Sequence, residues 1–255
     1  MTPDELVERW DSQQAAYIAD REGRFTAILD TLELATGGEF TAVDLACGPG
    51  SLTARILDRF PQSRVVAVDY DPMLLELARE YLDDYGHRVR YVDADLTDPQ
   101  WSNRVAEQLD TSPRAFVSTT ALHWLQPEQV VSLYAQIKSM LGPGGLFLNG
   151  DHFRFDGIDQ HITEWSAQHD RSTQRLGFAA GADEWDQWWD LLRSHPRIGY
   201  LHDERTRRFA NRDGTPPTTV QFQLAALRQA GFAESGTVWQ LFDDYVVYGV
   251  VRPHR

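Results

Sequence analysis

Thr41-Ala42-Val43-Asp44-Leu45-Ala46-Cys47-Gly48-Pro49-Gly50 is the stretch on which the fold turns. Its first half, Thr41–Leu45, is a short run that reads as a buried strand. Its second half holds two glycines one residue apart, and beyond them a helical pattern places Leu52, Ile56 and Phe60 on one side. Glycines at such a junction allow a tight turn and let a ligand lie against bare backbone at a helix N-terminus. Asp44 sits inside the strand, four residues before Gly48.

Downstream the same alternation repeats. Arg64–Val68 is a second strand closing on Asp69, and Asp71-Pro72 supplies the N-cap and first residue of a helix through Leu74, Leu77, Ala78 and Tyr81. Val89–Val92 and Ala115–Thr119 are the third and fourth strands. Pro127 opens a helix carrying Val130, Val131, Tyr134, Ile137 and Leu141, and Gly142-Pro143-Gly144-Gly145 turns into a fifth strand, Leu146–Asn149. This βα repetition predicts a parallel sheet covered on both faces.

Upstream, Phe25, Ile28, Leu29 and Leu32 share one helical face. Leu6, Trp10 and Tyr17 mark an earlier helix, interrupted near Asp20–Gly23, and Gly37-Gly38 ends the pattern. Residues 151–217 break the rhythm, with helices expected near 157–176 and 183–194 and the rest irregular. A helix near 218–230 follows, and then Thr237–Phe242 and Tyr245–Val251 read as an antiparallel pair joined at Asp243-Asp244. The expected organisation is a helical cap (1–38), a core (39–150 and 218–255) and a helical insertion or substrate lid (151–217).

At 42% hydrophobic and 24% charged, 255 residues suffice for one elaborated α/β domain. The formal charge of −14 disfavours a nucleic-acid partner. No apolar run reaches ~18 residues, so no membrane span is expected. Asp4, Glu5 and Glu8 replace the basic-then-apolar start of a secretory signal. A soluble, cytoplasmic protein is the expectation, with its oligomeric state left open. Cys47 is the only cysteine, which rules out an intrachain disulfide and a Cys-rich zinc site. No other metal-ligand spacing stands out, and no metal is expected.

Three acids follow three consecutive strands: Asp44, then Asp69 nineteen residues after Gly50, then Asp95 in Asp93-Ala94-Asp95-Leu96. Carboxyl ends of neighbouring parallel strands lie side by side, so these acids converge on one crevice. A carboxylate ending the second strand can accept both hydroxyls of a ribose. The dinucleotide fingerprint Gly-x-Gly-x-x-Gly fails at Thr53. Asp44 has two readings, touching the ligand or holding the loop, and Asp93 competes with Asp95.

With Asp44-x-x-x-Gly48-x-Gly50, Asp69, Asp95 and the turn Ala230-Gly231-Phe232 in place, the chain resembles the class I S-adenosylmethionine-dependent methyltransferases over nearly its whole length. The wording Ala121-Leu122-His123-Trp124-Leu125 is similar to the small-molecule branch that contains trans-aconitate methyltransferase. The resemblance implies a Rossmann-like, seven-stranded, mostly parallel α/β sheet with an antiparallel last strand. It implies S-adenosyl-L-methionine as cofactor, bound by Asp44, Ala46, Gly48 and Gly50 at the methionine part. Asp69 and Tyr70 would meet the ribose, Asp95 and Leu96 the adenine, and Thr119 the methionine end.

The implied reaction is in-line methyl transfer to an oxygen or nitrogen of a small molecule. His123 then stands as either the base or a pocket-shaping residue, and His152, beside Asp151, is a weaker candidate. Arg205, Arg207, Arg208 and Arg212, interleaved with Asp203, Glu204 and Asp213, read as charged surface, or one of them as the ligand of a substrate carboxylate. Trp10 and Tyr17 either close over the cofactor or simply pack, while Trp185, Trp188 and Trp189 either pack a helix on the core or line an aromatic substrate pocket as a lid. The rivals are an NAD(P)-dependent oxidoreductase, a nucleic-acid methyltransferase and a non-catalytic S-adenosylmethionine-binding protein.

Overall fold

Seven strands form one sheet in the computed structural model, which describes residues 1–210, 212, 214 and 216–253. They are β1 (Thr41–Leu45), β2 (Arg64–Asp69), β3 (Val89–Asp93), β4 (Ala115–Thr119), β5 (Leu146–His152), β6 (Glu234–Leu241) and β7 (Asp244–Val250). Their order is β3-β2-β1-β4-β5-β7-β6. The first five pair in parallel, while β7 runs antiparallel between β5 and β6. The mostly parallel sheet with an antiparallel last strand is therefore as the sequence led us to expect.

Both faces of the sheet are covered, which explains why Ala42, Val43 and Leu45 of β1 are all buried. On one face lie α2 (Arg21–Thr36), α3 (Ser51–Arg59) and α4 (Pro72–Tyr81), contributing Phe25, Ile28, Leu52, Ile56, Leu75 and Ala78. On the other lie α5 (Trp101–Ala106), α6 (Pro127–Met140) and α10 (Val220–Gln229), contributing Trp101, Leu133, Tyr134, Ile137 and Leu227. Asp71 caps α4 as expected, accepting from the Met73 and Leu74 amides at 3.0 and 3.3 Å. The short α5 has too few turns to show a period in the sequence, yet it buries Trp101 and Val105.

The N-terminal α1 (Pro3–Tyr17) breaks from α2 at Ile18–Asp20, where Asp20 takes φ +48° and accepts from the Gly23 amide. In the segment after β5, α7 (Gln160–Ala179) and α8 (Trp185–Arg193) match the expected helices. The aromatic face of α8 packs on α1. Trp188 is fully buried, donates from Nε1 to the Leu6 carbonyl at 3.1 Å, and lies 4.6 Å from Trp10 between ring centres.

Three of the differences from the sequence reading bear on the site. First, β5 continues past Asn149 to His152, because Gly150, Asp151 and His152 pair with Val246, Tyr245 and Asp244 of β7. Second, the terminal turn falls at Phe242-Asp243, with Phe242 at φ +53°, so Asp244 opens β7 and does not sit in the turn. Third, the stretch read as irregular contains α9 (His202–Phe209). This helix buries none of its residues, so it has no apolar stripe for periodicity to reveal. Asp213 lies outside the described residues. No described helix is long and apolar enough to cross a membrane.

Candidate functional site

The chain leaves β1 through Ala46 (φ +53°), Gly48 (φ +57°) and Gly50 (φ +95°) before entering α3. A Cβ at Gly50 would come 2.7 Å from Leu82 Cδ1, so that position admits glycine alone. At Gly48 the nearest atom to such a Cβ is Trp10 Cζ2, 4.0 Å away. The α1 indole thus roofs the loop across a gap that a side chain would fill. Cys47 is buried beneath the loop, and burial pushes its thiol well up.

Asp44 resolves in favour of holding the loop. Its Oδ2 accepts from Thr53 Oγ1 at 2.6 Å, tying β1 to the first turn of α3. Thr53, the residue that breaks the dinucleotide fingerprint, therefore has a structural task here. Asp69 spans the loop and the end of β2, accepting from the Gly48 amide through Oδ2 and the Asp71 amide through Oδ1, each at 2.7 Å. Each oxygen retains a lone pair for a ligand hydroxyl. Burial raises Asp44 to about 7 and Asp69 to about 6, against the hydrogen bonds each accepts. With Asp44 taken up by Thr53, Asp69 is the acid bound to the loop's Gly48 amide.

The edge beyond Asp69 is covered by arginines. Asp71 accepts from Arg205 Nε at 2.5 Å, Asp93 takes Arg208 through two nitrogens at 2.6 and 2.9 Å, and Asp95 accepts from Arg212 at 3.1 Å. Arg208 also donates to the Tyr70 carbonyl at 2.9 Å. Arg208 and Arg212 lie 5.0 and 4.8 Å from the centre of the Tyr70 ring, and Phe209 packs against it. Asp95 further accepts from the amide and hydroxyl of Thr97, and Leu96 packs partly against the core. Three of the four arginines read as charged surface are thus paired with the acids that end β2 and β3, while Arg207 pairs with Glu204.

At the other end of the edge, Thr119 closes β4, and a 3₁₀ turn, Leu122–Trp124, follows. The His123 amide donates to Asp151 Oδ2 at 3.0 Å, and His123 Nδ1 lies 2.7 Å from Asp151 Oδ1. Asp151 is fully buried. Burial pushes its carboxyl up, but His123, His152 and Arg24 outweigh that, holding it below the usual carboxylate range.

His152 repeats the arrangement, with Nδ1 2.6 Å from Asp244 Oδ1. Burial works against its cation, but the bond to Asp244 prevails and the net shift is upward. Asp244 is also ion-paired with the fully buried Arg24, which donates to Thr120 Oγ1 at 2.8 Å. Arg24 crosses β5 at Gly150, where a Cβ would meet its Cδ at 2.8 Å. The two imidazoles stand 6.1 Å apart between ring centres, and Trp124 lies 4.8 Å from His123.

The structure brings the predicted residues into two groups, Asp44, Ala46, Gly48, Gly50, Asp69, Tyr70, Asp95 and Leu96 around the loop, and Thr119, His123 and His152 beyond it. Sequence reasoning gave no role to Arg24, placed Asp244 in a turn, read Thr53 only as a break in the fingerprint, and did not pair Arg205, Arg208 and Arg212 with the acids near the ends of β2 and β3. Gly150 marks the close approach of Arg24, but only once β5 is seen to continue through it, since the strand read from the sequence ends at Asn149.

With this geometry in view, residues 42–145 match the family described as a methyltransferase domain. Trans-aconitate 2-methyltransferase of Azoarcus sp. (strain BH72) is 33% identical over 138 residues, covering 54% of this chain and 48% of that protein. The chain thus spans about half the length of this curated relative. An O-methyltransferase family protein from Burkholderia thailandensis shares the fold with a TM-score of 0.57 at 16% identity, over 95% of this chain and 64% of the other. Human N-acetylserotonin methyltransferase in complex with SAM aligns with a TM-score of 0.53 at 14% identity, over 89% of this chain and 51% of the other.

Proposed function

We propose that this chain, which belongs to the class I S-adenosylmethionine-dependent methyltransferases, methylates an acidic hydroxyl oxygen of a small molecule. The observation that carries the reading is the pair His123–Asp151 at the carboxyl ends of β4 and β5. When bound, S-adenosylmethionine supplies an electrophilic methyl carbon on a positively charged sulfur. The left-handed loop and Asp69 would hold its methionine and ribose parts, under the roof of Trp10 and beside Tyr70. A nucleophile placed in line at contact distance needs little further help, because positioning alone removes several kcal/mol of barrier.

The protein's own chemistry is proton management. Asp151 fixes the proton of His123 on Nδ1, so the unprotonated Nε2 is the base. It takes the hydroxyl proton as the new carbon–oxygen bond forms, and buried Asp151 balances the resulting imidazolium. Such a base contributes about 10²–10⁴-fold. Imidazole is matched to a phenol, whose pKa is about 10, and poorly matched to an alkyl alcohol. Residues 1–38 act as a cap on the cofactor side, joined there by α8 and α9, while α7 of the 151–217 segment covers the acceptor side, where Ser166 bonds Asp243.

Calorimetric titration with S-adenosylhomocysteine, NADH and NADPH, repeated with Asp69→Ala, tests the cofactor. Micromolar binding of the homocysteine compound alone, lost in the variant while its melting temperature is retained, is the expected outcome. Tight NADH binding would instead restore the oxidoreductase.

A further inference from the structure

The acceptor edge holds two imidazoles where one suffices as a base. His152 is anchored as firmly as His123, through Nδ1 to the buried carboxylate of Asp244, which Arg24 holds in turn. In both rings Nε2 is the nitrogen left over, and neither Nε2 hydrogen-bonds to a described residue. The side chains are part-exposed, at 27% for His123 and 35% for His152, so solvent reaches both. His123 sits in the turn after β4 and His152 at the end of neighbouring β5, 6.1 Å apart between ring centres. Two hydrogen bonds of about 2.8 Å converging on neighbouring oxygens bridge rings at that separation.

We propose that His152 is a specificity-determining residue and that the acceptor is an aromatic hydroxyl with a second oxygen on the adjoining ring carbon. The proposal rests on the methyltransferase reading for the fate of the first oxygen. His123 Nε2 takes the proton of the hydroxyl to be methylated, while His152 Nε2 binds the neighbouring oxygen. The upward shift of His152 makes it the donor of the two.

A carboxylate as that second group would meet the acids at this end of the edge. Asp170 of α7 is pushed up by burial and by Asp243 and Asp244, with His152 and His169 opposing, so this end of the pocket is acid-rich. The arginines that could have neutralised a polyacid are engaged, Arg205 by Asp71, Arg208 by Asp93, Arg212 by Asp95 and Arg207 by Glu204. A neutral ortho-dioxygenated ring fits where a tricarboxylate would meet repulsion.

The test uses the full chain and three probes: catechol, phenol and 2-hydroxybenzoate. Long-range proton–nitrogen spectra of the histidine rings, assigned with His123→Gln and His152→Gln, are recorded with and without S-adenosylhomocysteine. Catechol is expected to shift the Nε2 signals of both His123 and His152, phenol that of His123 alone. With S-adenosylmethionine, kcat/KM for catechol should exceed that for phenol and for 2-hydroxybenzoate at least tenfold. The catechol-to-phenol ratio should fall to near one in His152→Gln.

A catechol shift confined to one imidazole, the absence of any shift, or equal rates for catechol and phenol in the wild type would overturn the proposal. A catechol shift at both rings without binding of S-adenosylhomocysteine would instead uphold the two-imidazole site and sink the methyltransferase reading. The spectra need no variant beyond assignment, so a poorly folding His152→Gln does not decide the matter.

Discussion

The two halves of the sheet's carboxyl edge are built on different principles. At β1–β3 the acids are held mainly by nearby backbone and first-turn groups. Asp69 accepts from the amides of Gly48 and Asp71, Asp71 from Met73 and Leu74, and Asp95 from Thr97. At β4, β5 and β7 the functional groups are held by side chains far away in sequence, as with His123–Asp151, His152–Asp244 and Arg24–Asp244. The first half suits a cofactor whose shape is fixed. The second half depends on three strands and a helix arriving together, and it brings two imidazoles to one edge, where we propose that an acceptor is read. The difference teaches that a binding site made of backbone and its local caps is set early in the chain's own geometry, whereas a proton-transfer site is a product of assembly.

The comparison breaks if the long-range pairs are inert. His123→Gln is expected to lower kcat by about 10²–10⁴-fold with S-adenosylhomocysteine affinity unchanged, measured by single-turnover methyl transfer and calorimetry. An unchanged kcat would reduce His123–Asp151 to a packing device and remove the base.

A smaller effect sharpens the cofactor half. Asp44 has its carboxyl raised from 3.8 to about 7 by burial. A raised acid contributes stability that is fully present below the unfolded value near 4 and is lost as pH rises through about 7. Asp44→Asn keeps an acceptor for Thr53 and removes this loss. The wild type should therefore lose on the order of 2–3 kcal/mol more stability than the variant between pH 5 and pH 8, read from denaturant midpoints. Parallel pH profiles would mean that Asp44 is ionised throughout.

The smallest effect concerns α9. The Arg208–Asp93 pair is partly exposed, with relative side-chain exposures of 19% and 43%, and such pairs contribute about 0–1 kcal/mol. Arg208→Gln should shift the unfolding midpoint by no more than that, and the shift should vanish in high salt. A loss several times larger would make α9 as integral as the buried Arg24–Asp244 pair, and the contrast between the two halves would fade.

Much of the cofactor half was legible in the sequence because each signal is local. Two glycines at a strand–helix junction, an acid at a strand end and Asp71-Pro72 before a helix each have a single physical meaning within a few residues. The dual reading of Asp44 closed only when Thr53 came within 2.6 Å, since a side chain's partner across a turn depends on how the turn is folded. The α9 arginines looked like solvated surface for an equally physical reason. A helix held by ion pairs has no apolar period, and its partners lie more than a hundred residues away.

The sequence by itself determined the strands, the helices that carry an apolar period, the glycine loop and the acids around it, because hydrophobic period, turn chemistry and capping act between residues close along the chain. Only the tertiary structure decided which carboxylate orients which imidazole, and that Arg24 crosses the sheet at Gly150 to reach Asp244. Those pairings join α2, β4, β5 and β7, and the desolvation that makes them matter exists only once the strands have closed over them.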